Sequence, residues 1–373
     1  MSSKSIKDKN IVYIARATVP SPSTNSVHIA KISEAFAQQC KNFALIVSQS
    51  DKSLNVTDYY GLKQDIALVE VDLHGTKRLD QLIWANRAAK KAIGLSADHI
   101  VTRDPFCALF AVLRGVETTL DLHGDLNHLC GRFYRIIKWN TFVNNKKLHL
   151  VVISQGLKEY YVQKYGVNPD RIKVLPDGCN LDDFTGYADK ELLSPASKLR
   201  VGYFGKTLIG KGIDLIRRLA EVDLEDDFEI YGGTLEASEK ETGKKFSSNA
   251  HFHGHVQNSM IPEIMCDMDV LILPNQDKLM VMGEDIGKFT SPLKLFEYMA
   301  SGRVIVASDL PVIREVLDES NSYLADSKDE NDWKEKLDEI RSNRNDALAK
   351  AVKAKSDVVR YTWKNRALEM VNY

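Results

Sequence analysis

The chain has 373 residues, of which 44% are hydrophobic and 27% are charged, and its formal net charge is −1. This composition is ordinary for a globular protein, and the balanced charge argues against general binding of nucleic acid. At roughly 150 residues per domain, the length predicts two domains. The N-terminal segment lacks the apolar core of a signal peptide, and no apolar run approaches the ~20 residues of a membrane span. We therefore expect a soluble protein or one attached only to a membrane surface.

Short apolar runs rich in β-branched residues recur along the chain, and longer amphipathic segments lie between them. Runs with little polar alternation are typical of parallel strands that helices cover on both faces. The predicted strands of the first half are residues 11–15, 43–48, 66–71, 99–102, 118–122, 148–153 and 172–175. Those of the second half are residues 199–204, 228–231, 250–253, 270–273 and 304–307. Both halves are therefore predicted to be α/β domains.

A polar stretch that contains Gly186 and Pro195 separates the two sets of strands, as is typical of a domain boundary. We predict a first domain at residues 1–190, a second at 191–355 and a charged helical segment at 356–373. Ligands of open parallel sheets bind at the carboxyl ends of the strands. The two sheets are therefore expected to face each other across a ligand-binding cleft.

The cysteines are scattered along the chain, and no two of them form a CxxC pair. They are Cys40, Cys107, Cys130, Cys179 and Cys266. An odd, dispersed set argues against a disulfide or zinc framework and favours a reducing compartment. A cytoplasmic location is therefore expected.

His123 lies in the sequence Asp-Leu-His-Gly-Asp, directly after a predicted strand. At the carboxyl end of that strand, its imidazole would be placed to hydrogen-bond a sugar or a phosphate. A purely structural histidine is the competing interpretation.

Residues 132–147 combine basic and apolar side chains with the spacing of an amphipathic helix. The basic residues are Arg132, Arg135, Lys138, Lys146 and Lys147, and the apolar ones are Phe133, Ile136, Trp139 and Phe142. Such a face can lie on an anionic bilayer, which would place the protein at the inner face of the cytoplasmic membrane. The alternative is a helix with an apolar core side and a solvated basic side.

Lys206 and Lys211 lie in a glycine-spaced turn between a predicted strand and a helix. Two ammonium groups and backbone N–H donors would stabilise a departing diphosphate, which carries about two negative charges. Two solvated loop lysines would be the structural alternative.

A second anion site is predicted at residues 290–292, where Ser291 is expected to cap a helix and Pro292 to occupy its first position. The N–H groups of such a helix start are available to an anion. Glu297 follows in the same helix, where its carboxylate would accept both hydroxyls of a ribose. Its alternative role is a surface ion pair with Lys294, three residues earlier.

Two further patterns resemble metal sites but favour structural roles. Asp267-Met-Asp269 has the DxD form, yet it directly precedes a predicted strand. His251, His253 and His255 alternate along one strand, but no cysteine or carboxylate nearby in sequence completes a ligand set. The absence of a G-x-G-x-x-G motif lowers the case for a dehydrogenase.

The order of these motifs is similar to that of retaining GT-B glycosyltransferases, most of all glycosyltransferase family 4. The resemblance covers nearly the whole chain and adds segments 25–31, 151–160, 165–184, 252–256, 308–316 and 361–367. It implies a GT-B fold with two facing Rossmann-like domains and a C-terminal helix that packs back on the first. Each motif alone is weak, but their number, order and spacing are specific.

The resemblance also implies roles for individual residues. Lys206 and Lys211 would bind the donor diphosphate and stabilise it as it leaves, Glu297 would hold the ribose, and His123 would assist transfer of the sugar. The implied loop contacts are Thr290, Ser291, Pro292 and Leu293 with the phosphates, and His255 and Val256 with the base. Family members generally need no divalent metal, so we expect no metal and no cofactor beyond the donor substrate.

Two departures from the family pattern affect substrate selection. Phe289 stands where the first glutamate of the Glu-x7-Glu pattern is usual, eight residues before Glu297. That glutamate contacts hydroxyls of the donor sugar, so Glu284 and Asp285 become candidates for the same task. The loop at residues 16–24 lacks the usual glycine pair, which would change access for the acceptor.

The resemblance predicts a hexosyltransferase that uses a UDP- or GDP-sugar and acts on a saccharide or a lipid-linked acceptor, in bacterial surface polysaccharide or glycolipid synthesis. A GT-B-shaped protein that binds a nucleotide sugar or a partner without turnover is the alternative, and Phe289 favours it. A sugar phosphorylase or a nucleotide-sugar epimerase is a third interpretation within the same fold.

Overall fold

The computed structural model of the protein describes residues 5–75, 77–131, 142–187, 193, 198–281 and 283–373. The chain forms two compact units. The first unit consists of Met1–Pro176 and Trp363–Tyr373, and the second consists of Asp177–Thr362. Within the described residues, none of the helices combines the length and the apolar character needed to cross a membrane.

The first unit is built on a seven-stranded parallel sheet with the order β3-β2-β1-β4-β5-β6-β7. Its strands are β1 (Asn10–Thr18), β2 (Asn42–Gln49), β3 (Leu68–Glu70), β4 (His99–Thr102), β5 (Glu117–Leu122), β6 (Leu148–Val152) and β7 (Ile172–Val174). The strand order reverses between β1 and β4, as in doubly wound Rossmann-like sheets. Ligands of such sheets bind at the carboxyl ends of the strands beside the reversal.

Helices alternate with these strands, and the local sequence explains where they begin and end. They are Thr24–Ala37, Val56–Tyr60, Arg78–Gly94, Pro105–Leu113, Leu126–Cys130, Gln155–Tyr165 and Trp363–Val371. Asp104 caps the fourth of them, because its carboxylate accepts hydrogen bonds from the N–H groups of Phe106 and Cys107, and Pro105 starts the first turn. Gly166 ends the sixth with a positive φ of 64°. The last helix packs against the first.

The second unit has a six-stranded parallel sheet with the order β10-β9-β8-β11-β14-β15. Its strands are β8 (Arg200–Phe204), β9 (Asp227–Tyr231), β10 (Ala250–Gly254), β11 (Val270–Leu273), β14 (Val304–Ser308) and β15 (Tyr323–Ala325), and β12 (Met280–Val281) and β13 (Glu284–Asp285) form a small antiparallel pair. Its helices are Ile213–Val222, Leu235–Thr242, Ile261–Met265, Leu293–Ser301, Pro311–Arg314, Glu330–Ser342 and Arg344–Asp357. The strand order again reverses, here between β8 and β11, which places a ligand site at their carboxyl ends.

The units divide earlier in the chain than the predicted boundary at 190/191. The N–H of Asp177 donates to Ser291 Oγ, Cys179 forms a strand-like bridge with Thr362, and Phe184 belongs to the apolar core of the second unit. The chain therefore enters the second unit at Asp177, before the polar stretch that suggested a linker. The first unit resumes at Trp363, whereas the prediction placed the third segment at 356–373.

Candidate functional site

In the second unit, Lys206 and Lys211 lie in the loop that follows β8, at the reversal of strand order. The helix Leu293–Ser301 is fixed to the end of this strand, because the N–H of Phe204 donates to Tyr298 Oη at 3.0 Å. Lys206 is exposed and its carbonyl accepts a hydrogen bond from Tyr203 Oη at 2.8 Å. The two predicted lysines are therefore held at the edge of the sheet where a ligand is expected.

The glycines of this loop allow the backbone to approach the segment that follows β11 closely. Gly212 has a φ of +85°, and a Cβ atom there would lie 2.0 Å from the carbonyl oxygen of Pro274. A Cβ on Gly210 would come within 2.8 Å of the carbonyl oxygen of Lys278. Only glycine fits these positions, so the loop geometry that places Lys211 depends directly on the sequence pattern.

Lys211 is partly buried beside two other cations. Burial, followed by the like charges of Lys206 and Lys294, lowers the pKa of the Lys211 ammonium from 10.5 to about 8. Burial of an ammonium group beside other cations costs free energy, and an anionic ligand would offset that cost. Such perturbed groups are typical of functional sites. Lys294 belongs to this cluster, whereas its spacing in the sequence indicated only an ion pair with Glu297.

The loop before the helix Leu293–Ser301 differs from the predicted capping pattern. Pro292 occupies the cap position, and Ser291 Oγ instead accepts the N–H of Asp177 at 3.1 Å. Ser291 therefore fixes the first residue of this unit, and its hydroxyl is already hydrogen-bonded. Thr290 and Leu293 are partly buried beside it, so the predicted phosphate contacts lie together at the helix start.

Glu297 lies on this helix and pairs with Lys294, whose Nζ is 2.7 Å from Glu297 Oε2. Both side chains remain about a quarter exposed, at 29% and 26%. The ion pair with Lys294, which was the alternative role predicted for Glu297, is thus present. It joins Glu297, the candidate for ribose binding, to the lysine cluster.

The hairpin β12–β13 and the turn after it contain the residues considered for the donor sugar. Asp285 Oδ1 accepts hydrogen bonds from the N–H groups of Leu279 and Gly287, both at 3.0 Å, so this carboxylate shapes the hairpin. Phe289 is buried, with 7% of its surface exposed. Glu284 lies in β13, and the structure does not describe its side chain.

The strand β10 carries the alternating histidines. His251 Nε2 lies 3.2 Å from Asp227 Oδ1, and His253 Nε2 lies 2.5 Å from Glu229 Oε2 on the neighbouring strand. His255 is exposed in the loop after the strand, while Val256 packs against the apolar core. The first two histidines thus pair with separate carboxylates of β9.

The DxD pattern at Asp267 and Asp269 connects strands. Asp269 Oδ2 accepts the N–H of Arg200 at 2.8 Å, and the Asp267 carbonyl accepts from Arg200 Nη1 at 3.1 Å. These bonds join the start of β8 to the segment before β11, at the end of the sheet opposite to Lys206.

In the first unit, His123 directly follows β5 and forms a buried network with two other groups. Its Nε2 lies 2.9 Å from Asp121 Oδ2, and Arg366 Nη2 donates to Asp121 Oδ1 at 2.8 Å. Burial, followed by the charge of Arg103, lowers the pKa of His123 to about 4 against the opposing effect of Asp121. His123 is therefore neutral at pH 7. Although burial alone would raise it, the charge of Arg366 holds the pKa of Asp121 well below its usual range.

His28 completes this network on the side of the first helix. Its ring meets those of His123 and Trp363 edge to face, at centroid distances of 4.8 and 5.0 Å. Ligand atoms of His28, Asp121 and His123 lie within 4.8 Å of one another, close enough to hold a metal ion. The guanidinium on Asp121 and the charge of Arg103 beside His123 both disfavour a divalent cation there.

The ends of β1 and β4 carry a second polar group in this unit. Arg16 Nε lies 2.9 Å from Asp104 Oδ2, and Arg103 Nη1 donates to Asn25 Oδ1 at 2.5 Å. These contacts hold both ends of the loop that lacks the usual glycine pair at the carboxyl end of the sheet, through Arg16 at its start and Asn25 directly after it.

Two sequence predictions are only partly covered by the described residues. Of the basic segment proposed as a membrane face, residues 132–141, which include Arg132, Arg135, Lys138, Phe133, Ile136 and Trp139, lie outside them. Within the described part of the chain, Cys40, Cys107, Cys179 and Cys266 form no disulfide bonds, and all but Cys40 are buried.

Two known protein families match the chain, one in each half of the sequence. The family described as Glycosyltransferase Family 4 matches residues 26–183, and the family described as Glycosyl transferases group 1 matches residues 198–343. No curated protein sequence matches the chain at a significant level.

Solved structures resemble the chain over nearly its full length. A glycosyltransferase from Rickettsia africae has a TM-score of 0.75 at 14% identity, covering 97% of this chain and 96% of its own. The Anabaena protein HepE, in complex with UDP and glucose, has a TM-score of 0.70 at 14% identity, with 95% of each chain covered. WaaG, a glycosyltransferase involved in lipopolysaccharide biosynthesis, has a TM-score of 0.65 at 14% identity, covering 97% and 99%. With both units matched and the fold shared, the chain belongs to the glycosyltransferases of group 1 and family 4, and it is a transferase with the GT-B fold.

Proposed function

We propose that this transferase takes its sugar from a nucleoside diphosphate sugar, UDP- or GDP-linked, whose diphosphate binds in the second unit. The observation that carries this proposal is the lysine cluster after β8, in which Lys211 is partly buried beside Lys206 and Lys294. Lys294 already pairs with Glu297, and a diphosphate would bring negative charge to Lys206 and Lys211. HepE, with its bound UDP, supports the choice of ligand class.

Glu297 is proposed to hold the ribose of the donor. Its carboxylate accepts hydrogen bonds, and a ribose offers two neighbouring hydroxyl donors. The ion pair with Lys294 joins the carboxylate to the phosphate-binding cluster. His255 and Val256 are proposed to lie beside the base, and Thr290 and Leu293 beside the phosphates.

The reaction is proposed to retain the anomeric configuration and to need no metal ion. The bond between the anomeric carbon and the β-phosphate oxygen breaks as the acceptor oxygen bonds to the same carbon, and the acceptor proton passes to a β-phosphate oxygen. Lys206 and Lys211 stabilise the charge that develops on the leaving diphosphate, as a metal ion does in other transferases. His123 of the first unit is proposed to hydrogen-bond the donor sugar.

The transferred sugar is proposed to be a hexose. The acceptor is proposed to be a saccharide or a lipid-linked molecule in bacterial surface polysaccharide or glycolipid synthesis. WaaG, as a lipopolysaccharide glycosyltransferase, supports this setting. Such a role suits a cytoplasmic protein that works beside the membrane.

Phe289 cannot accept hydrogen bonds from sugar hydroxyls, and Asp285 is bonded to the backbone of its own hairpin, so neither reproduces the usual first glutamate.

The affinity for UDP is expected to fall as the pH rises above about 8. Only the charged form of Lys211 attracts a diphosphate, and its pKa of about 8 means that above this pH each binding event must take up a proton. Such linkage costs up to about tenfold in affinity per pH unit. Titration calorimetry with UDP at pH 7, 8 and 9 measures the effect, and different buffers report the proton taken up.

Lys211→Met is the matched variant, since it keeps the side-chain length and removes the titrating group. It should bind UDP more weakly at pH 7 and show little change between pH 7 and 9. A wild-type affinity that stays constant over this range, or an equal slope in the variant, would remove Lys211 from the diphosphate site.

A further inference from the structure

Asp121 lies between two side chains, and each of them faces one of its carboxylate oxygens. It is fully buried at the end of β5, with no exposed side-chain surface. Arg366 Nη2 donates to its Oδ1 at 2.8 Å, and His123 Nε2 lies 2.9 Å from its Oδ2. Each carboxylate oxygen therefore has its own partner, and the two partners lie far apart in the sequence.

Arg366 reaches Asp121 from the helix Trp363–Val371, the part of the first unit that follows the second unit in sequence. Its other terminal nitrogen, Nη1, donates to the carbonyl of Leu175 at 2.6 Å. The side chain is 2% exposed, and its guanidinium lies between the end of β7 and Asp121. A guanidinium is always a donor, so the oxygen that faces it must always be an acceptor.

The positions of these donors determine where the proton of His123 lies. An ionised Asp121 accepts hydrogen bonds and donates none, so the imidazole nitrogen that faces it must carry a hydrogen. At neutral pH the ring is uncharged, because its pKa is about 4. The hydrogen on Nε2 then leaves a lone pair on Nδ1.

We propose that Arg366 and Asp121 are positioning residues that hold His123 as its Nε2–H tautomer, so that Nδ1 is an acceptor for a hydroxyl of the donor sugar. This inference rests on the proposed function, since it assigns the polarity of a side chain whose role in transfer is itself proposed. It gives the C-terminal helix a part in the reaction through Arg366.

Asp121→Asn tests this arrangement because Arg366 still requires an acceptor. The amide oxygen of the new side chain must face Arg366, so its NH2 group faces His123 Nε2. That nitrogen then has to accept, and the ring changes to the Nδ1–H tautomer. Nδ1 becomes a donor, and a hydroxyl that relied on its lone pair loses its acceptor.

The tautomer is measured directly by long-range 1H–15N NMR of histidine-labelled protein at pH 7.5, without substrate. The chain has nine histidines, so His123→Gln identifies the signal. We expect Nε2–H in the wild type and Nδ1–H in Asp121→Asn. The double variant Asp121→Asn/Arg366→Met removes the competing donor, lets the amide oxygen turn to His123, and should restore Nε2–H.

Kinetics provide the functional test. With UDP-glucose as donor, Asp121→Asn should lower kcat for UDP release about 10- to 100-fold. The Kd for UDP should stay within about twofold, because UDP binds in the other unit. The double variant should regain part of the lost kcat, which a merely structural role for Asp121 would not produce.

Lys173→Met is the matched control for docking of the same helix. It removes the ion pair to Glu369, in which Lys173 Nζ lies 2.5 Å from Glu369 Oε2, and leaves Asp121 untouched. Its tautomer and kcat should equal those of the wild type, and equal losses in this control would overturn the proposal. Nδ1–H in the wild type, Nε2–H in Asp121→Asn, or a changed tautomer with unchanged kcat would also overturn it. Because the spectrum needs no substrate, it decides the tautomer even if UDP-glucose is not the donor.

Discussion

Replacement of Lys211 by methionine should reduce kcat/KM for sugar transfer about 10²- to 10³-fold. The ammonium is held at the carboxyl end of β8 by a loop in which Gly212 must adopt a φ of +85°. It stabilises negative charge on the leaving diphosphate, and removal of one such group typically costs 10²- to 10³-fold in rate. Most of the loss is expected in kcat, because the charge is greatest after the glycosidic bond has broken.

The same substitution should raise the stability of the protein at pH 7. The folded protein lowers the pKa of Lys211, so the charged form costs free energy that is fully present below about pH 8 and is relieved as the pH rises to the unfolded value. Differential scanning calorimetry measures this difference. Lys244→Met, at an exposed lysine of the same unit, is the control and should change neither rate nor Tm. A Lys211→Met enzyme within a few-fold of wild-type activity would contradict the site.

Glu297→Gln should weaken binding of UDP about 10- to 100-fold, because hydrogen bonds from the ribose to a charged acceptor contribute about 1.5–3 kcal/mol. This loss of affinity should depend only on the two ribose hydroxyls. Wild-type protein should bind UDP better than its 2′,3′-dideoxy analogue, and the variant should bind the two about equally. Calorimetry with both nucleotides measures this coupling.

Pyrophosphate separates loss of the ribose contact from disturbance of the lysine cluster. Glu297 also pairs with Lys294, so a general effect on the cluster would weaken pyrophosphate as much as UDP. Glu236→Gln, on the exposed side of the helix Leu235–Thr242, is the control and should behave as wild type. If Glu297→Gln kept full discrimination between ribose and dideoxyribose, Glu297 would have no part in ribose recognition.

Much of the fold could be predicted because buried parallel strands leave a plain apolar signal. The run at 270–273 coincides with β11, and all four of its residues are buried. β12 and β13 could not be found in this way, because strands of two residues carry no periodicity. The unit boundary was misplaced because a polar stretch looks like a linker even when the residues before it, such as Asp177, already bond within the next unit.

The candidate site could be predicted where its residues share one segment of chain. Lys206 and Lys211 lie in one glycine-spaced loop, and the structure places both at the reversal of strand order. Arg366 lies 245 residues from Asp121, so no local spacing could have paired them. The segment 361–367 was singled out, but only the folded first unit shows what its arginine contacts.

Release of nucleoside diphosphate by purified protein tests the central claim most directly. UDP- and GDP-sugars are incubated with wild-type protein and with Lys211→Met, and free UDP or GDP is measured over time, with and without saccharide acceptors. We predict release from at least one donor by the wild type, slowed at least about 100-fold in the variant. Binding of a nucleotide sugar without release under any of these conditions would contradict the account and favour a protein that binds nucleotide sugars without turning them over.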